Sequence, residues 1–231
     1  KYGMAVFQDL VNSGGYNFVI DTALPTIGLK RGISHRASKT RRDSFTKDME
    51  ATLSHLYSHP SVVYYTLFNE GWGQFDAVNM YKLAKSIDST RVWDATSGWF
   101  WTGESDVLSE HIYFKPIHLK NDGRPLVLSE FGGYSCKIAE HSFNTEKTYG
   151  YKFFTDRGEF SKALDLLYDE VLAAIKDEGL CAAVLTQVSD VEDETNGLYT
   201  YDRKVLKVDP EQMNKISQKL MAEYRLFSRQ G

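Results

Sequence analysis

The chain has 231 residues, 42% hydrophobic and 13% aromatic, with a formal net charge of −4. That length can bury a substantial core in one domain of ordinary globular composition. No apolar run approaches the roughly 18 residues of a membrane span, and the acidic balance offers no general attraction to nucleic acid or anionic lipid.

The opening KYGMAVFQDL resembles neither a signal peptide nor a natural start, so a piece of a longer protein is expected. Residues 4–10 read as a strand, followed by a polar loop with Gly14-Gly15 and a Pro25 turn. From Asp43, Phe45, Met49, Leu53 and Leu56 fall at helical spacing before Pro60. A β-branched and aromatic strand over 62–68 follows, then a helix from about Phe75. RVWDAT (91–96), DVLSEHIYF (106–114) and PLVLSEF (125–131) read as three more strands. Phe160, Leu164, Leu167, Val171 and Ile175 mark a long helix, LCAAVLTQV (180–188) a further strand, and a last helix begins near Pro210. Nearly continuous apolar strands separated by helices predict a parallel sheet buried on both faces, as a barrel or an open Rossmann-like sheet. Cys136 and Cys181 are too few for a disulfide scaffold and are expected as buried thiols, in a cytoplasmic protein.

The turn in FNEGWGQFD supports two chemistries. Gly71-x-Gly73 follows a strand and opens a helix, with Asp94 about where a dinucleotide fold keeps its ribose-binding acid. Against that, the fingerprint's third glycine is Asp76, and Glu70 and Asp76 would bring two negative charges to a pyrophosphate. If Glu70 is instead a catalytic carboxylate at a strand end, a second one should end another strand. Glu130 in PLVLSEFGGY meets that expectation.

FNEGWG and LVLSEFGGY, with EHIYF between them and TQVSDVEDETNGLYTYDR after, resemble the catalytic domain of glycoside hydrolase family 2, the β-galactosidase, β-glucuronidase and β-mannosidase group. The resemblance covers nearly the whole chain. It implies an α/β fold, a (β/α)8 TIM barrel entered near its third strand, with residues 1–231 forming part of the barrel and the N-terminal strands and β-sandwich domains absent. It implies a retaining hydrolase acting on terminal β-glycosidic bonds by double displacement, with Glu130 as nucleophile and Glu70 as general acid/base. In such a pair Glu70 holds its proton while Glu130 stays ionised. Asn69 is implied to bind the sugar 2-hydroxyl, and His111 and Tyr113 to line the site, the tyrosine orienting the nucleophile. Trp99 and Trp101 are candidates to stack on a sugar ring, and Gln187 and Asp190 to bind hydroxyls. The resemblance calls for no cofactor, although a sodium or magnesium site of the family type stays open.

Where β-glucuronidases carry Asn-x-Lys for the sugar carboxylate, this chain reads Glu194-Thr195-Asn196. An acid facing a uronate is repulsive, which favours a neutral sugar, with a galactoside first by family frequency. Other signals are bland. The basic run Leu29–Arg42 lacks interleaved aromatics and reads as a solvated loop. His55 and His59 lack a third zinc ligand. VSDVEDE lacks the glycine of a calcium loop. The expected partner is a carbohydrate, without nucleic acid or membrane. A barrel missing two strands would expose edges that invite pairing into a homo-oligomer, so a non-catalytic carbohydrate-binding or assembly fragment is the rival expectation.

Overall fold

The computed structural model describes residues 3–12, 17, 19, 23–24, 29, 37–71, 73–98, 100 and 103–227. The chain forms two compact units, residues 1–111 with 122–127, and residues 112–121 with 128–231. It passes from the first to the second within a strand, and again within another.

In the first unit, β1 (Val6–Asp9), β2 (Val62–Thr66) and β3 (Val92–Asp94) form a parallel sheet in that order. β2 is central, and Tyr64, Tyr65 and Thr66 are all buried. Helix α1 (Lys39–Leu56) buries Phe45, Met49 and Leu53, one residue per turn. It starts four residues before Asp43 because Ser38 caps it, its side chain accepting from Arg41 N–H at 3.2 Å. The charged run expected as a loop therefore ends as a helix. Helix α2 (Ala77–Ile87) adds Ala77, Met80 and Ala84 to the same core. Phe45 stacks on Phe68 with ring centroids 5.0 Å apart and meets Phe75 edge-on at 5.4 Å.

Beyond β3 the chain does not continue the sheet. Trp93 N–H donates to Asp106 Oδ2 at 2.8 Å, Ala95 N–H to Ser105 Oγ at 3.1 Å, and Asp106 N–H to Trp93 O at 3.0 Å. A short loop thus occupies the hydrogen-bonding positions that a fourth strand would use. The strand expected next, β4 (Leu108–Ile112), belongs to a separate sheet of order β4-β5-β8, with β5 at Leu126–Gly132 and β8 at Leu180–Thr186. A parallel pair, β6 (Tyr134–Cys136) with β7 (Lys152–Phe154), completes the strands and has no counterpart in the sequence reading.

Among the described residues there are therefore three small sheets, and none closes. The (β/α)8 barrel is corrected accordingly: the edge of β3 is satisfied locally, so the strands do not run on into one cylinder. Burial on both faces fails as well. Cys181, Ala183 and Val184 on β8 are exposed, so Cys181 is a surface thiol while Cys136 is buried as expected.

The second unit is organised by helix α3 (Arg157–Glu178). Asp156 caps its start, accepting from Glu159 N–H at 2.9 Å. Gly179, at φ +79°, ends it in the left-handed conformation that glycine takes most readily. Its buried stripe includes Phe160, Leu164, Leu167 and Val171, as the periodicity predicts. Two of its acids hold the stretch after β4, with Glu170 accepting from Ile117 N–H at 2.9 Å and Glu178 from Leu119 N–H at 2.8 Å. Helix α4 (Pro210–Phe227) packs on α3.

Candidate functional site

The first unit presents Glu70. After β2 the chain continues beside β3 through an Asn69–Ser97 bridge, and Glu70 N–H donates to Ser97 O at 3.2 Å. Glu70 then takes φ +53°, a left-handed conformation uncommon outside glycine, and Gly71 follows at φ +71°. A Cβ on Gly71 would lie 2.0 Å from the Phe100 ring, so this glycine is required by space as well as by backbone. The turn is braced from α1: Arg41 donates to Gly73 O, and Arg42 lies 5.1 Å over the Phe75 ring.

His111, at the end of β4, places Nδ1 3.0 Å from Glu70 Oε1. Gly98 makes room for that imidazole, since a Cβ there would come within 2.7 Å of the ring. Asn69 Oδ1 accepts from Ser97 Oγ, which fixes its amide. Asp94, the rejected ribose ligand, is buried and accepts from Tyr64 OH at 2.9 Å. Burial pushes its carboxyl up against the opposing hydrogen bonds of Ser109 and Tyr64.

Glu130 lies within β5, in the second unit. Tyr113 OH donates to Glu130 Oε2 and lies 3.1 Å from Thr186 Oγ1 at the end of β8. Burial, followed by the adjacent Glu130 charge, raises the phenol far above its ordinary value, so it remains a protonated donor. Gly132 and Gly133, at φ +91° and +59°, turn the chain out of β5.

Gln187 follows β8 and donates from Nε2 to Glu194 Oε2 at 2.8 Å and to Asn196 Oδ1 at 2.7 Å. Asp190 is placed differently from a surface hydroxyl binder. It is fully buried, accepting from Lys207 Nζ at 2.7 Å and from Gly197 N–H at 2.8 Å. Lys207, itself fully buried, also donates to Thr195 O at 2.8 Å. Burial pushes Asp190 up and Lys207 down, and their contact opposes both shifts. This pair ties the loop after β8 to the segment before α4. The acids of VSDVEDE at Asp190 and Glu194 are thus already engaged by protein donors. Trp99 and Trp101 lie outside the described residues.

Asn69, Glu70 and His111 are brought together in one unit, and Tyr113 and Glu130 in the other. Sequence reasoning missed Ser97, Arg41 and Thr186. Ser97-Gly98 after RVWDAT is turn chemistry at the end of a neighbouring strand, a signal that was there to use. Arg41 and Thr186 carried none.

No protein-family model matches this sequence, and neither does any curated protein. Among solved structures the chain resembles the FMN-binding beta-glucuronidase from Facaelibacterium prausnitzii L2-6, with a TM-score of 0.54 and 18% identity over 87% of this chain and 36% of that one. The chain thus spans little more than a third of that protein's length. At this identity the likeness concerns the fold alone.

Proposed function

We propose that this chain carries the catalytic residues of a retaining β-glycoside hydrolase of the family 2 type. The observation that carries the reading is the hydrogen bond from the half-buried Tyr113 phenol to Glu130, with Thr186 beside it. A carboxylate fixed by a protonated phenol is held ionised and in one orientation, as a nucleophile needs. The Glu70–His111 contact and the glycosidase-like fold add support.

In the first step a Glu130 oxygen attacks the anomeric carbon, the bond to the leaving oxygen breaks, and Glu70 gives that oxygen its proton. In the second step water attacks the glycosyl ester, Glu70 takes the water's proton, and Glu130 leaves as carboxylate. Asn69, fixed by Ser97, binds the 2-hydroxyl. The double displacement requires carboxyl groups about 5–5.5 Å apart. Glu194, held by Gln187, supports a neutral glycone, with a galactoside as the first choice, because its charge opposes a uronate.

The test is trapping of the complete protein with a panel of 2-fluoro-glycosides. Peptide mass mapping is expected to place the label on Glu130, and the fastest-labelling sugar identifies the glycone. A label on another residue, or no inactivation by any member of the panel, refutes the proposal.

A further inference from the structure

Tyr113 leads outward to a group of rings with no assigned role. Tyr151 stacks on it, with centroids 4.0 Å apart and planes 14° off parallel. Phe114 meets Tyr151 edge-on at 4.7 Å, and Tyr149 does so at 5.7 Å. Phe114 is 74% exposed and Tyr149 49% exposed. Single exposed aromatic residues are ordinary, but three rings joined through Tyr151 form a surface.

The backbone beneath Tyr149 and Tyr151 is pinned. Tyr149 N–H donates to Asp193 O at 2.7 Å, Thr195 N–H to Tyr149 O at 3.1 Å, and Tyr151 N–H to Gly133 O at 3.0 Å. A Cβ on Gly133 would lie 2.3 Å from the Tyr151 ring, so the absence of a side chain there lets the ring seat. A fixed platform loses little conformational entropy when a ligand covers it.

We propose that Phe114, Tyr149 and Tyr151 form a stacking subsite for a sugar ring on the leaving-group side of the cleaved bond. The inference rests on the glycosidase reading above. One ring separates the platform from Glu130, through Tyr151 and Tyr113. An enzyme that removes terminal residues finds every further sugar of its substrate on the leaving-group side, so an oligosaccharide extends that way. The surface suits this occupant: aromatic faces meet the C–H face of a pyranose, while the Tyr149 and Tyr151 hydroxyls, 3.5 Å apart, offer a polar rim for its hydroxyls. The natural substrate on this account is an oligosaccharide rather than a glycoside of a small alcohol.

The experiment compares β-glycosyl fluorides, whose leaving group has no ring, with the matching β-linked di- and trisaccharides. It uses the complete wild-type protein, Phe114→Ala and Tyr149→Ala, two variants being used so that a folding defect in one leaves the other as the reading. The measured quantity is the ratio of kcat/KM for oligosaccharide to kcat/KM for fluoride within each protein. That ratio is expected to fall between about twofold and tenfold in each variant, the range of a ring-stacking contact. An unchanged ratio with active fluoride hydrolysis overturns the subsite and leaves the glycosidase reading standing. No fluoride turnover by the wild type overturns the glycosidase reading, and the subsite with it. A wild-type dimer that dissociates on Phe114→Ala, seen by sedimentation, also overturns the subsite by making the platform a contact between copies.

Discussion

Glu70 occupies a left-handed position where the chain has just left a strand, and its partner is an imidazole. Glu130 lies within β5, and its partner is a phenol whose own proton is held tightly. The two settings suit different tasks. An imidazole ring nitrogen can either donate or accept a hydrogen bond, so it suits a carboxyl that must give and recover a proton in each cycle. A phenol that never ionises keeps donating, which suits a carboxylate that must stay charged until it attacks. The supports differ as well. The Glu70 turn rests on close packing of glycines, Phe100 and Arg41, while in the second unit a buried ion pair ties the loop after β8 to the segment before α4.

On the proposed function, the largest expected effect separates the two proposed roles. Glu130→Gln should lower turnover of every glycoside about 10⁴-fold or more, the scale on which loss of a nucleophile is felt. Glu70→Gln should cost about 10²–10⁴-fold, the usual share of general acid–base catalysis, and less with activated leaving groups that need no proton. Steady-state rates on a leaving-group series read this directly, and equal losses at all leaving groups for both variants would erase the distinction.

A second comparison concerns the supports. Lys207→Met leaves the Asp190 carboxylate buried without its cation, and should destabilise the protein by about 3–5 kcal/mol. Chemical denaturation measures it, and a loss below about 1 kcal/mol, the level of a surface pair, would remove the pair as a support of the second unit.

The smallest effect probes the other side. Asp106→Ala leaves the buried Trp93 N–H without its acceptor and should cost about 1–3 kcal/mol. Burial pushes the Asp106 carboxyl up, but hydrogen bonds from Lys85, Tyr81 and the Trp93 N–H outweigh it, so the carboxyl lies below its ordinary value. A depressed carboxyl contributes its full stability above the unfolded-state value of about 3.9, and that contribution is lost as pH falls through the lower folded value. Melting curves from pH 6 down to pH 2 should therefore show a shallower acid-side decline in Asp106→Ala than in the wild type.

Much of the fold was legible where one residue per turn or an unbroken apolar run carried the signal. Phe45, Met49 and Leu53 marked α1, the Phe160–Val171 stripe marked α3, and Val62–Thr66 marked β2. How the strands combine was not legible. Separation of the sheets after β3 depends on side chains at Ser105 and Asp106 reaching back to a backbone, and strand pattern alone does not encode that. In the candidate site, Asn69 and Glu70 stood out because motif and strand end coincide, and Glu130 because its motif follows an apolar run, although β5 continues past it to Gly132. Tyr113 came with its alternation after His111. Asp190 read as a hydroxyl binder because its partner Lys207, 17 residues on, arrives only through the fold.

The same loop after β3 bears on solubility. An open strand edge offers alternating amide donors and acceptors to any other extended chain, and is a template for aggregation. Here a foreign strand approaching β3 finds Trp93 and Ala95 N–H already engaged and meets instead the Asp106–Lys85 ion pair. The loop that ends the sheet thus also guards its β3 edge against uncontrolled growth.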